Sequence, residues 1–253
     1  MASTPKSVIM QQPLTTLSTN IMKKRDFHRM ALGLFAGLWL ATGAHALSLA
    51  DISGQEAGGG LKEALSQGAS KAVDLLGRSD GFLGNPKVKI PLPESMQQVE
   101  GLMRGLGMGK QADELITAMN RAAEAAVPEA KKLLVDAVKQ MSVEDAKGIL
   151  AGGNDAGTQY FRRKTAEPLG QKFLPIVQKA IAKVKLKDTY EKFAKKGAKF
   201  GLVKEKDTHL DNYVTEKALD GLYLMIAEEE KAIRENPIGA AGNLAKKVFG
   251  AIR

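Results

Sequence analysis

The chain has 253 residues, with 37 basic and 28 acidic side chains, a net charge of +9, three histidines and no cysteine. Without cysteine there can be no disulfide, no thiolate chemistry and no lipid anchor on a cysteine. Of the three histidines, His28 and His45 lie in a segment that reads as a leader, and the one remaining, His209, excludes a multi-histidine zinc site.

The first stretch reads as an export signal. Lys23–Lys24–Arg25–Asp26–Phe27–His28–Arg29 is a basic segment, Met30 to Gly43 an apolar run, and Ala44–His45–Ala46 a small-x-small cleavage pattern. Lys24–Arg25–Asp26–Phe27 faintly resembles a twin-arginine signal, but the general secretory route fits better. Residues 1–21 are unusual upstream of such a leader, and Met22 is an alternative start. The apolar run is too short to span a bilayer comfortably. Cleavage after Ala46 leaves residues 47–253, a periplasmic product of 207 residues with 32 basic and 27 acidic side chains. That length suffices for one helical domain with its own core, without a transmembrane helix. His28 and His45 fall in the leader, so His209 is the one histidine left.

Residues 47–60, ending in Gly58–Gly59–Gly60, read as a flexible lead-in. The first helix is expected from Gln55 to Gly77, with Leu61, Leu65, Val73 and Leu76 on its apolar side. Neither these glycines nor Gly105–Leu106–Gly107–Met108–Gly109–Lys110 satisfies the phosphate-loop pattern. Gly81–Phe82–Leu83–Gly84–Asn85–Pro86 is turn-rich. In residues 87–93, Val88, Ile90 and Leu92 alternate with polar residues and proline, which predicts an extended strap with one apolar edge.

Helices are then expected from Pro93–Glu94 to about Leu106, from Gln111 to Val127 with an alanine-rich stretch, and from Pro128 to Gln140. Ser142 and Asp145 have capping-box spacing and open a helix to Leu150, closed by Gly152–Gly153. Asn154 or Asp155 caps the next helix, which carries Tyr160 to Thr165. Pro168 suits the first turn of a further helix to Val184, kinked at Pro175. Leu186 to Phe200 is lysine-rich and amphipathic. Asp207 to Asn212 presents alternating oxygen ligands but lacks the glycine and glutamate of a calcium loop, so capping explains it.

The chain is organised around a long helix over residues 210–235, capped by Asp211 and ended by Pro237. Val214, Ala218, Leu222, Tyr223, Met225 and Ile226 share one broad arc of it. Residues 243–250 add a short closing helix. The expected architecture is all-α, an irregular multi-helix bundle around that C-terminal helix, crossed by the strap.

Glu229 falls inside the apolar arc, between Met225 and Ile233, and a buried carboxylate needs a partner. The densest cation cluster is Arg162, Arg163 and Lys164, next to Tyr160. Glu229 is expected to be buried and to pair with Lys164 or Arg163 first, then Arg162, with Arg121 as the outside candidate. The bland reading is a structural ion pair; the sharp one is a ligand-binding or catalytic carboxylate.

Charge is uneven along the chain. Residues 162–206 hold 14 basic and 4 acidic side chains, and residues 207–235 hold 3 and 8. The basic segment suits an anionic lipid, or else faces the acidic helix with its surplus lysines solvated. Nucleic acid is the weaker partner, because the leader points out of the cytoplasm and few aromatics interleave the lysines.

Several stretches resemble an exported bacterial family, DUF4197. They are Gly81–Phe82–Leu83–Gly84–Asn85–Pro86 with Ile90–Pro91–Leu92–Pro93, Ala118–Met119–Asn120–Arg121–Ala122–Ala123–Glu124, Tyr160–Phe161–Arg162 with Lys164–Thr165, and Ala218–Leu219–Asp220–Gly221–Leu222 with Ala227–Glu228–Glu229–Glu230–Lys231. The resemblance covers nearly all of residues 47–253. It implies a helical periplasmic protein with no established activity, and it carries over no catalytic residue. The residues themselves call for no cofactor and no metal. They favour a non-enzymatic envelope protein that binds an anionic lipid or a protein partner. The alternatives are a hydrolase or lyase using Glu229 with Arg162, Arg163 or Tyr160, and a pure scaffold. Oligomeric state is not legible in the sequence.

Overall fold

A computed structural model describes residues 53–94, 96–97, 104–105, 107, 109–182, 187–188, 191, 195, 199, 209–237 and 242–251. The chain divides into two units, Met1–Ala44 and His45–Arg253, and all the described residues lie in the second. The fold is all-α: α1 (Gly54–Leu76), α2 (Gly109–Ala126), a 3-10 turn (Val127–Glu129), α3 (Ala130–Lys139), α4 (Val143–Ala151), α5 (Ala156–Ile181), α6 (Leu210–Glu235) and α7 (Asn243–Gly250). There is no strand among the described residues. The long C-terminal helix, α6, packs against α5, α1 and α2. In turn α1 gathers α3, α4 and α7, and α5 gathers α2, α3 and α4. Most of the expected helix 94–106, the lysine-rich helix 186–200 and the approach at 207–208 lie outside the described residues.

Gly58–Gly59–Gly60 lie inside α1 and not in a tether, while residues 47–52 of the expected lead-in lie outside the described residues. Ser53 caps α1, accepting from the Glu56 N–H at 3.2 Å while Glu56 accepts from the Ser53 N–H at 3.3 Å. Lys247 of α7 holds the same glutamate at 3.0 Å. Capping of this kind stabilises a helix start by about 1 kcal/mol, which offsets part of the cost of the glycines. The glycines also let α7 approach: a Cβ on Gly60 would stand 2.6 Å from the Leu244 carbonyl oxygen. Gly60→Ala is therefore expected to destabilise the fold by about 1–3 kcal/mol, since backbone must shift to make room. A urea melt matching wild type would show that α7 can slide away at no cost.

The α5 helix runs unbroken through Pro168 and Pro175, so Pro168 does not open a new helix as expected. Every fourth residue from Gly157 to Ile181 is buried, Phe161, Leu169, Phe173 and Val177 among them. The prolines lie off that stripe, Pro175 exposed and Pro168 half-buried. The carbonyls they leave without an intrahelical donor belong to Lys164 and Gln171, both exposed residues. At α6 the helix begins one residue before Asp211, with His209 in the cap position and no side-chain cap. Asp211 lies in the first turn and accepts from Gln178 of α5 at 2.8 Å.

The strap keeps its predicted alternation of burial, but its first residues form a turn and are not extended, the Lys89 N–H donating to the Asn85 carbonyl at 2.8 Å. Val88, Ile90 and Leu92 are buried, with Phe82 ahead of them. Phe82 lies directly on Gly221 of α6, where a Cβ would meet its ring at 2.7 Å. Tyr213 of α6 donates its hydroxyl to the Pro91 carbonyl at 3.1 Å.

Candidate functional site

The buried carboxylate of α6 is Glu230, one residue on from the predicted Glu229, and it is 3 % exposed. Glu230 sits one turn after Ile226 and two turns after Tyr223, both fully buried, whereas Glu229 follows Met225 at the edge of the arc. Its Oε1 accepts from the Gly157 N–H at 2.9 Å, and Oε2 from the Thr158 N–H at 2.8 Å and the Thr158 hydroxyl at 2.9 Å. The first N–H groups of α5 have no intrahelical acceptor and carry the positive end of the helix dipole. Asp155 does not cap them with its side chain. A carboxylate from another helix does so instead.

Arg234, one turn along, completes the node. Its Nη2 donates to Glu230 Oε1 at 2.9 Å and to the Ile149 carbonyl, in the last turn of α4, at 2.9 Å. The guanidinium lies 5.5 Å from the centre of the Phe249 ring of α7. The Glu230–Arg234 pair thus clamps the α4–α5 turn from both sides, with anion on the helix start and cation on the helix end.

A second buried carboxylate repeats the logic. Glu124 of α2 accepts from the Phe82 and Leu83 N–H groups, each at 3.1 Å, and from Arg121 at 2.6 Å. One turn earlier, Asn120 accepts from the Ile90 N–H at 2.8 Å and donates to the Ile90 carbonyl at 2.9 Å. Both carboxylates have their oxygens taken up by donors, which suits a structural anion and leaves neither as a general base.

Glu229 is 14 % exposed and pairs with Lys71 of α1 at 2.7 Å, not with the Tyr160–Thr165 segment. The physical reason is the one-residue register: turning Glu230 inward swings Glu229 towards α1. The structure does not assemble the predicted cluster. Arg162 reaches Asp220 at 3.1 Å and lies 4.7 Å from the Tyr223 ring centre. Lys164 is 6.0 Å from the Tyr160 ring centre, and Arg163 is exposed. Arg121 bridges Glu124 and Asp80, both carboxylates holding its guanidinium above the usual range. Tyr160 donates to the Ala137 carbonyl at 2.7 Å. Tyr223 shares a 2.9 Å hydrogen bond with Thr165. Burial pushes both phenols above their ordinary pKa, so they stay protonated near neutral pH.

Ser53, Asn120, Glu124 and Glu230 are the polar residues the sequence reading missed. Ser53–Gly54–Gln55–Glu56 does have capping-box spacing, and Asn120 and Glu124 stand one turn apart on an alanine-rich face.

Among the described residues, grooves open beside α1, α4, α6 and the strap. One of about 940 Å3 lies between α1 and α6, lined by Lys71, Asp74, Arg78, Glu229 and Ile233. Another, of about 420 Å3, separates the strap from α6, with Lys87, Lys89, Tyr213 and Lys217 along it. The third, of about 650 Å3, lies between the start of α1 and α4 and is mainly apolar. Glu191, His209 and Asp211 bring potential metal-ligand atoms within 4.8 Å of one another. Their carboxylates are already engaged, Glu191 by Lys187 at 2.9 Å and Asp211 by Gln178 at 2.8 Å. No helix among the described residues is long and apolar enough to cross a membrane.

No curated protein and no solved structure matches the chain. A family described as protein of unknown function, DUF4197, matches residues 51–250. That match takes in every helix from α1 to α7, both buried carboxylate nodes and the strap, and the chain belongs to the DUF4197 family.

Proposed function

We propose that the protein is an exported, non-catalytic component of the cell envelope that binds anionic lipid headgroups. The observation that carries this reading is the charge of residues 162–206, with 14 basic side chains against 4 acidic. In the described part of that segment, α5 exposes Arg162, Arg163, Lys164, Lys172 and Lys179, and its exposed acid is Glu167. Of these cations Arg162 is held by Asp220, while the lysines project away from the buried stripe. A cationic helix face adds about 1 kcal/mol per basic residue at an anionic membrane surface, and salt screens it. The reading as a non-catalytic protein is supported by the use of Glu230 as a helix cap and of Glu124 as acceptor for the Phe82–Leu83 turn, and by the dispersal of Tyr160, Arg162, Arg163 and Glu229.

Flotation with vesicles tests it. Binding is expected with phosphatidylglycerol, not with phosphatidylcholine alone, and it should fall away at high salt. Lys164→Gln, Lys172→Gln and Lys179→Gln together are expected to weaken it by about 3 kcal/mol, on the order of a hundredfold. Binding indifferent to lipid charge and to salt would remove the proposal.

A further inference from the structure

Glycine inside a helix is unfavourable relative to alanine, and α1 carries three in a row. The crossing of α7 accounts for two: a Cβ on Gly60 would meet the Leu244 carbonyl oxygen at 2.6 Å, and one on Gly59 would meet Leu244 Cδ2 at 3.0 Å. Gly58 has no such neighbour. A Cβ there meets nothing within 4 Å, and the same holds for Gly54 one turn earlier.

Both glycines line the groove between α1 and α4, with Ala57 beside them and Met141, Val143, Ala146 and Leu150 opposite. Its volume of about 650 Å3 lies within the range of about 300–1,000 Å3 common for small-molecule sites. Val143, in the first turn of α4, is 59 % exposed, more than any other large apolar side chain among the described residues.

The charged residues lining the groove are Lys62 and Lys147, and no carboxylate joins them. Lys62 makes a long contact, 3.4 Å, to the Lys139 carbonyl, and Lys147 is exposed with no ion pair among the described residues. The two helix starts beside the groove are closed by their own capping boxes, Ser53 with Glu56 and Ser142 with Asp145. An anion entering here would therefore meet the two lysines.

We infer that this groove binds a single-chain anionic amphiphile, taken as a monomer from the aqueous phase. The acyl chain lies over Gly54, Gly58 and Val143, and the headgroup meets Lys62 and Lys147. The inference rests on the anionic-lipid reading and gives it a ligand class and a seat. It also explains a glycine that packing within the protein does not.

Calorimetric titration of the protein with dodecanoate below its micelle concentration tests the site, with dodecyltrimethylammonium as the probe of opposite charge. Saturable binding of dodecanoate near one per chain, tighter than that of the cation, is expected. Gly58→Leu enters the groove from a position where a Cβ meets nothing within 4 Å. It should weaken dodecanoate by about tenfold or more, because several methylenes lose their apolar contact. Val143→Glu, at an exposed position, should do the same by adding a carboxylate. Melting curves show that each variant is folded. Dodecanoate binding unchanged in both folded variants would overturn the site, and so would no binding by a wild-type protein that still floats with anionic vesicles. Failure of both dodecanoate binding and flotation would overturn the groove and the lipid reading together.

Discussion

Glu230→Ala is expected to cost about 3–5 kcal/mol of folding stability, a large share of the 5–15 kcal/mol or so available to a domain. The substitution removes the acceptor for the Gly157 and Thr158 N–H groups and for the Thr158 hydroxyl. It also leaves the Arg234 guanidinium, whose side chain is 10 % exposed, without its counter-ion. An unpaired buried cation beside the positive end of α5 is what makes the loss larger than that of one hydrogen bond. For a domain of this size the melting temperature should drop by roughly 6–20 °C. Glu230→Gln recovers only part, because the amide keeps one acceptor oxygen but turns an NH2 towards groups that are themselves donors. Glu229→Ala is the control. Lys71, its partner, is 63 % exposed, so that pair contributes no more than about 1 kcal/mol. Equal melts for Glu230→Ala and wild type, or a larger loss for Glu229→Ala, would overturn the assignment of the buried node.

The distance between Glu229 and Glu230 measures what the sequence can tell about this fold. Three consecutive glutamates occupy about 200° of a helix, and the apolar arc of α6 is broad enough that its edge does not single out one of them. What selects Glu230 is the unpaired helix start of α5, some 70 residues earlier in the chain, and periodicity within α6 carries no trace of it. The same holds for Asn120, whose backbone partner is Ile90 of the strap, and for Glu124, whose backbone partners are Phe82 and Leu83 in the turn before it. Features that depend on one element alone were legible. The Ser142–Asp145 capping box, the alternating burial of Val88, Ile90 and Leu92, and the end of α6 ahead of Pro237 all stand as the residues imply. Gly58–Gly59–Gly60 and Pro168 misled for a shared reason. Glycine and proline disfavour helix locally, and here that cost is outweighed by the close crossing of α7 at Gly59 and Gly60 in one case, while in the other the carbonyl left without a donor belongs to an exposed residue, Lys164.

Asn120→Ala is expected to cost about 2–6 kcal/mol, since it strands both backbone groups of Ile90 in the core at about 1–3 kcal/mol each. Beyond the Asn85–Lys89 turn, residues 90–93 of the strap have no strand beside them among the described residues, so their backbone forms no ladder. Asn120 takes the place of the missing strand: its Oδ1 accepts from the Ile90 N–H at 2.8 Å and its Nδ2 donates to the Ile90 carbonyl at 2.9 Å, as a neighbouring chain would. Asn120 and Ile90 are both essentially fully buried, so water cannot replace the lost partner without opening the core. Asn120→Asp separates the two bonds. It keeps the acceptor for the N–H but sets a carboxylate oxygen against the Ile90 carbonyl, and should be no better than alanine. The effect should centre on the strap. Hydrogen exchange at the Ile90 amide should accelerate by more than at the amides of α5, and the groove beside Tyr213 should widen as the Pro91 carbonyl leaves its hydroxyl. A fully cooperative loss with no preference for the strap would mean that strap and helices unfold as one unit. A variant as stable as wild type would mean that Asn120 does not hold the strap at all.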